Sequence, residues 1–280
     1  MEKKQKISIK PDGNDFQYRV KKTLSDAGWI VRMSPYYNDS FSEKPREIDI
    51  IAEKVFPAME RSIYTSAVIV RLFIECKYIA EETTFWFEEK RMDKAMKVVD
   101  SLRTFHEVAD NSEVMTKHHY LLNTPIAKLY RTEGKNPDGD PIYKAITQCL
   151  NATIYYRHHA TDLRKKYDHQ AIGELNYSLI ICNSFEKFLK KDTTADSALS
   201  PIDNSFQLEV DYAYSTKDGQ SEELFYIDIL SIDSFKNFEE KDLAAEVNLA
   251  KQKISDDKRM IEYERRRSET ENRDPYDPFA

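Results

Sequence analysis

Apolar residues near the start of the chain recur at helical spacing. Phe16, Val20, Leu24 and Ala27 share one stripe, behind Asp12 as an N-cap and Asp15 three residues on. The spacing predicts a helix that Gly28 stops, because glycine can take the left-handed conformation that ends a helix. The period then shortens to that of strands. Trp29 to Met33 reads as a strand, Ser34 to Lys44 as a polar, tyrosine-rich loop, and Arg46 to Glu53 and Ala67 to Tyr78 as two more strands. The last is almost continuously apolar, as a strand covered on both faces should be. Its one mid-strand charge, Arg71, falls by parity on the same side as Glu75.

From Phe85 the pattern turns helical. Met92, Ala95, Met96, Val99 and Leu102 form one stripe, and Lys90, Arg91, Lys94 and Lys97 occupy the opposite face. His118 to Leu122 reads as a short strand, and 135–141, with two prolines and a glycine, as an exposed turn. Ala145 to Arg157 follows as a helix and Tyr177 to Cys182 as a buried strand. Gln207 to Tyr214 and Leu224 to Ile232 are strands flanking a turn at Lys217–Gly219. A charged helix starts near Glu239 with a narrow stripe of Leu243, Val247, Ala250 and Ile254. Past Asp256 the stripe thins into a solvated arm that includes Arg265, Arg266 and Arg267. The pattern predicts a single α/β domain over 1–235 with a helical insertion at about 85–170, followed by a charged helix and tail over 236–280.

Composition narrows the class. The 280 residues, 40% of them hydrophobic, suffice for a substantial core. No apolar run approaches the roughly 20 residues that span a bilayer, and the charged start, Met1 to Lys6, precedes no signal-type segment. Cys76, Cys149 and Cys182 are widely spaced in apolar contexts, so they read as reduced core residues of a cytoplasmic protein. The six glycines form no phosphate-cradling loop. A net charge of −7 counts against tight, non-specific grip on duplex DNA, unless positive charge is segregated into one groove or supplied by a partner subunit.

The chemistry concentrates on two of the strands. Alternation puts Glu75 and Lys77 on one face with Cys76 on the other, and likewise places Glu47 and Asp49 together. If the strands pair, acids from both and one ammonium converge. Such a group at the end of an apolar sheet is costly unless it holds a metal ion or is internally paired. A structural ion pair is the plain alternative.

Asp49 followed by Glu75-x-Lys77 on the next strand resembles the motif of the PD-(D/E)XK, or restriction-endonuclease-like, nuclease superfamily. The stretch from Asp15-Phe16-Gln17 to Gly28–Val31 resembles the opening helix and first strand of its Mrr-type members, so the likeness covers roughly residues 12–80. The resemblance implies a mixed central sheet flanked by helices, with helical insertions and a C-terminal helical arm. It implies a metal-dependent DNA endonuclease of bacterial defence, with two copies needed to cut both strands. Asp49, Glu75 and the backbone carbonyl of Cys76 would hold Mg²⁺ or Mn²⁺, and Lys77 would steady the attacking water and the transition state. Glu47 is a further possible ligand. Mrr-like members often carry glutamate where this chain has Gln17, and a neutral amide adds no charge to a metal site. The rival expectation is the same fold kept as an inactive nucleic-acid- or protein-binding subunit.

Other features are plainer. Phe85, Trp86 and Phe87 read as core. Lys90, Arg91, Lys94 and Lys97 are either a phosphate-binding ridge or a solvated helix face. Adjacent histidines, 118–119 and 158–159, lack the spacing of a helical zinc pair and are assigned no metal.

Overall fold

The computed structural model describes residues 13–39, 44–58, 66–106, 118–157, 159–166, 171–193, 198–216 and 219–256. The cap at Asp12, residues 40–43 of the polar loop, most of the turn at Lys217–Gly219, His158 and the arm past Asp256 lie outside them.

The first helix, α1 (Gly13–Asp26), buries Phe16, Val20 and Leu24, each contributing about 1.5–3 kcal/mol on leaving water. Gly28, at φ +83°, ends it as expected, and the Trp29 N–H reaches back to the Leu24 carbonyl at 3.0 Å. Next come β1 (Ile30–Met33), β2 (Tyr36–Asn38), β3 (Pro45–Glu47), β4 (Ile50–Pro57) and β5 (Ser66–Lys77). The strand read as running from Arg46 to Glu53 is thus two strands with a bend at Ile48–Asp49: β3 pairs with β2 in a ribbon of its own, while β4 lies between β1 and β5.

The segment read as a helical insertion carries strands as well. Phe85, Trp86 and Phe87 sit in β6 (Thr83–Glu89), where Phe85 and Phe87 are buried and Trp86 is only partly so, the period of a strand. Helix α2 (Met92–Ser101) buries Ala95, Val98 and Val99, turning Met92 and Met96 outward; two stripes share Ala95 and Val99, and packing selected the one through Val98. β7 (Arg103–His106) follows. His118–Leu122 is a helical turn, α3 (His119–Leu122), where a strand was expected: the His118 ring accepts the Tyr120 N–H and caps it. β8 (Pro125–Thr132), α4 (Pro141–Arg157), α5 (Asp162–Lys165), β9 (Ala171–Cys182), β10 (Phe188–Asp192), β11 (Ser200–Pro201), β12 (Phe206–Thr216) and β13 (Gly219–Ser231) complete the set, before a helical run over 235–256 that contains a π-turn at Phe238–Leu243.

Among the described residues, one mixed sheet of eleven strands organises these elements in the order β1-β4-β5-β9-β13-β12-β8-β6-β10-β11, with β7 beside β9. β1, β4 and β5 form an antiparallel meander, and β9 runs parallel to β5 along its full length, Ser66 opposite Ala171 and Lys77 opposite Cys182. Even-numbered residues of β5 (Val68 to Cys76) pack under α1, α2 and the C-terminal run, whose Leu243, Val247, Ala250 and Ile254 are buried as their stripe predicted. Odd-numbered residues face α4, where Phe73 meets Cys149 and Ala152. The result is a helix–sheet–helix sandwich in which β5 is covered on both sides.

Candidate active site

Asp49 stands in the bend that separates β3 from β4. Its neighbour Ile48 is fully buried on the α4 side and Ile50 on the α1 side, so the bend is pinned by core residues before and after it. The Asp49 carbonyl accepts the Ser34 N–H at 2.8 Å and the Gln17 side-chain amide at 2.9 Å. Gln17 therefore steadies the loop that presents Asp49.

Glu75 and Lys77 project from the C-terminal end of β5 on the side that parity assigned. The two acids clasp each other's strand: the Asp49 N–H donates to Glu75 Oε1 at 3.2 Å, and the Cys76 N–H donates to Asp49 Oδ2 at 2.8 Å. Lys77 Nζ lies 2.6 Å from Glu75 Oε2 and 3.7 Å from Asp49 Oδ2. The expected convergence of Asp49, Glu75 and Lys77 is present. The last residue of β5 paired with β4 is Ile74. The N–H and C=O of one strand residue point to the same side, so the Cys76 carbonyl faces the Asp49 side past the end of that ladder.

Burial divides the two acids. Glu75 is wholly inside while Asp49 keeps about a quarter of its side chain in solvent (24%). Burial pushes the Glu75 carboxyl up to about 7, against the pull of Lys77. For Lys77, burial works toward the neutral amine, but the Glu75 and Asp49 carboxylates outweigh it and hold the ammonium above its usual range. Two carboxylates and a backbone carbonyl are hard oxygen donors of the kind Mg²⁺ and Mn²⁺ take, and the ammonium offsets only one of the two negative charges. The donor set fits a divalent ion.

No family model, curated protein or solved structure matches the chain. Its chemistry must be read from its own geometry.

The remaining predicted residues scatter. Glu47 lies opposite Tyr36 in the small ribbon, bonded to that residue's hydroxyl, with its carbonyl taken by Gln148 Nε2 at 3.1 Å. Lys90 is no part of an exposed ridge. It is buried before α2 begins, with Nζ donating to the Tyr120 carbonyl at 2.8 Å and to Gln207 at 2.6 Å, and burial lowers its pKa to about 8. Arg91 is exposed and paired with Asp93, Lys97 is exposed and Lys94 half-buried. The ridge of four cations reduces to three.

Two buried polar clusters escaped the sequence reading. Arg71 bonds Glu53 at 2.9 Å, Asn176 at 3.0 Å, Thr161 at 3.2 Å and Glu174 at 3.3 Å, and Arg164 adds a second cation on Glu174 at 2.8 Å. Arg71 lies on the face of Glu75, as parity indicated, but its partners come from three distant segments. The second cluster joins His118 and His119 to Glu246, with ligand-type atoms within 4.8 Å of one another. Its hydrogen bonds describe a proton-filled clamp. His118 Nδ1 accepts the Tyr120 N–H, which leaves the proton on Nε2, 3.1 Å from Glu246 and misaligned for a hydrogen bond. His119 bridges Glu246, through Nδ1, and Asp228, at 3.2 Å through Nε2. Burial opposes its charge, but the two carboxylates raise its pKa to about 10. Burial would raise Glu246, and the two histidines instead draw it down to about 2. The available signal was Glu246 itself, an acid on the stripe between Leu243 and Ala250.

Proposed function

We propose that the chain is a metal-dependent nuclease that hydrolyses phosphodiester bonds, with DNA as its substrate and Asp49, Glu75 and Lys77 as its catalytic set. The observation that carries this reading is the clasp itself: two carboxylates from neighbouring strands and one ammonium, held together by each other's backbone N–H groups at the end of a covered strand. The order around it, a helix, three antiparallel strands and a strand parallel to the third, agrees with the resemblance to the PD-(D/E)XK superfamily.

Asp49, Glu75 and the Cys76 carbonyl would hold Mg²⁺ or Mn²⁺. The ion, when bound, lowers the pKa of its water and offsets charge on the phosphate. Lys77, kept as an ammonium by its two acids, stabilises developing negative charge and orients the attacking water; it does not serve as the base. Gln17 positions Asp49 through its backbone carbonyl. A neutral residue suits that task, and the position needs no carboxylate for it.

A second reading is favoured by one observation: Lys77 already neutralises Glu75 at 2.6 Å, so the cluster is stable as an ion pair in a non-catalytic binding module. The deciding test is a cleavage assay on plasmid, linear and single-stranded DNA and on RNA, with Mg²⁺ or Mn²⁺, beside Asp49→Ala and Lys77→Ala. Metal-dependent cleavage that drops at least a hundredfold in both variants is expected. Cleavage that survives in both, or a wild type inert toward every substrate and not stabilised by Mn²⁺ in thermal unfolding, rejects the nuclease.

A further inference from the structure

A cleft of about 330 Å³ lies beside the clasp, between the ribbon of β2 and β3 and the first turns of α4. That is the small end of the range for ligand pockets, roughly 300–1,000 Å³. Its floor is Tyr37, buried, with its hydroxyl donating to the Gln148 carbonyl at 3.1 Å. One hydrogen bond and one shared core link the cleft to the segments that carry the clasp. Gln148 reaches the carbonyl of Glu47, two residues before Asp49, and Tyr37 packs against Ile51 and Phe73 in the small core that also holds Ile48.

The wall is chemically ordered. Tyr143, Lys144, Gln148 and Asn151 lie on one arc of α4. Part-buried neighbours hold both amides in place. Asn151 Oδ1 accepts the Tyr212 hydroxyl at 2.8 Å, so the group it offers the cleft is its N–H pair. Gln148 Nε2 gives one of its two N–H groups to the Glu47 carbonyl, which leaves its oxygen and one N–H to offer. A donor and an acceptor one helical turn apart complement the hydrogen-bonding edge of a nucleobase, which presents both on one side. At the rim, Tyr143 is about half exposed (47%), so its ring is open to stacking on a base. Lys144 is exposed, and Arg46, held to Asp39 through Nε at 3.3 Å, keeps half its side chain in solvent.

We propose that this cleft is a nucleotide subsite that takes one unpaired base next to the scissile phosphate: Tyr143 stacks on the base, Asn151 and Gln148 read its edge, and Lys144 and Arg46 meet the adjoining phosphate. The inference rests on the nuclease reading. It makes single-stranded or frayed nucleic acid the preferred substrate, because a base inside a duplex is stacked and its edge is already paired. It also fits a net charge of −7, since one stacked base and two cations replace the broad basic surface that duplex binding needs.

The test is fluorescence anisotropy of a labelled 12-nucleotide single strand and of the matching duplex, with Ca²⁺ in place of Mg²⁺, on the full chain. Wild type, Tyr143→Ala, Lys144→Ala and Asp49→Ala are compared. Both substituted cleft side chains are exposed, so thermal unfolding should not move. Wild type is expected to prefer the single strand. Tyr143→Ala should weaken single-strand binding about tenfold, or about 1.4 kcal/mol, while duplex binding is unchanged. Lys144→Ala should weaken it less and flatten its salt dependence. Equal single-strand affinity in wild type and Tyr143→Ala overturns the subsite, as does no binding of either probe by wild type. The two proposals fail separately. Cleavage lost in Asp49→Ala, with Tyr143→Ala binding and cutting as wild type, leaves a nuclease without this subsite. Binding that depends on Tyr143, without metal-dependent cleavage, leaves the subsite on a non-catalytic module.

Discussion

Glu75 is a carboxylate that the fold buries completely, and its titration should be visible in stability. Its carboxyl ordinarily titrates near 4.5, and burial moves it to about 7 in the folded chain. Between those values the folded state keeps a proton that the unfolded state has released, so stability falls as pH rises through that window. Without divalent metal, the melting temperature should drop by roughly 5 °C from pH 5 to pH 8 on this account. Glu75→Gln, which cannot titrate, should flatten the part of the slope below pH 7; an unchanged slope in thermal scans would show that Glu75 is not the group responsible. At this scale the sequence was informative. Alternation alone placed Glu75 and Lys77 on one face, and Asp49 meets them from the bend just before the adjoining strand. It misjudged Glu47, because a bend at Ile48–Asp49 breaks the alternation, and no local pattern announces a bend fixed by Gln17 and Ser34 from elsewhere.

Among elements, the C-terminal helix owes its seat to more than its apolar stripe. Glu246 holds both the His119 backbone N–H and its ring, and through that ring is coupled to Asp228 in β13. His119 is raised from 6.5, so its contribution is complete below pH 6.5 and is lost as pH climbs toward 10. Glu246 is depressed from 4.5, so its contribution is present above pH 4.5 and lost toward pH 2. Glu246→Ala leaves a buried imidazolium with one partner, and should cost about 3–5 kcal/mol in urea unfolding. Hydrogen exchange over 244–256 should accelerate with it; unaltered protection there would mean that the apolar stripe alone seats the helix. The helices at both ends of the described chain and most central strands were legible from period and caps. The errors lie where local pattern and tertiary packing disagree: at β6, β7 and β8, inside a segment read as helical; at α2, whose two stripes overlap; and at α3, where four residues are too few to show a period.

For the whole molecule, the central pairing is long-range. Every residue of β5 faces one of β9 about a hundred positions later, so neither can be seated without closing that loop. The chain's two tryptophans report on the two sides of this join: Trp29 precedes β1, and Trp86 lies in β6 on the far half of the sheet. One cooperative unit requires Trp29→Phe and Trp86→Phe to unfold in urea with midpoints that coincide with each other and with circular dichroism. Separated midpoints would show that the halves fold independently. The order of strands across the sheet was not legible, because pairing between strands remote in sequence leaves no local mark.

The ends of that sheet bear on how this chain can meet another copy of itself. Its outermost members are β1, four residues long, and β11, two residues of which one is Pro201. A proline has no N–H to lend, and so short a border gives an incoming strand little to zip onto. The eleven-stranded array is therefore closed to growth by strand addition at β11 and offers only a brief landing at β1. Among the described residues, a pairing of two copies to cut both strands of a duplex would draw mainly on helices and loops, and could be undone without disturbing the sheet.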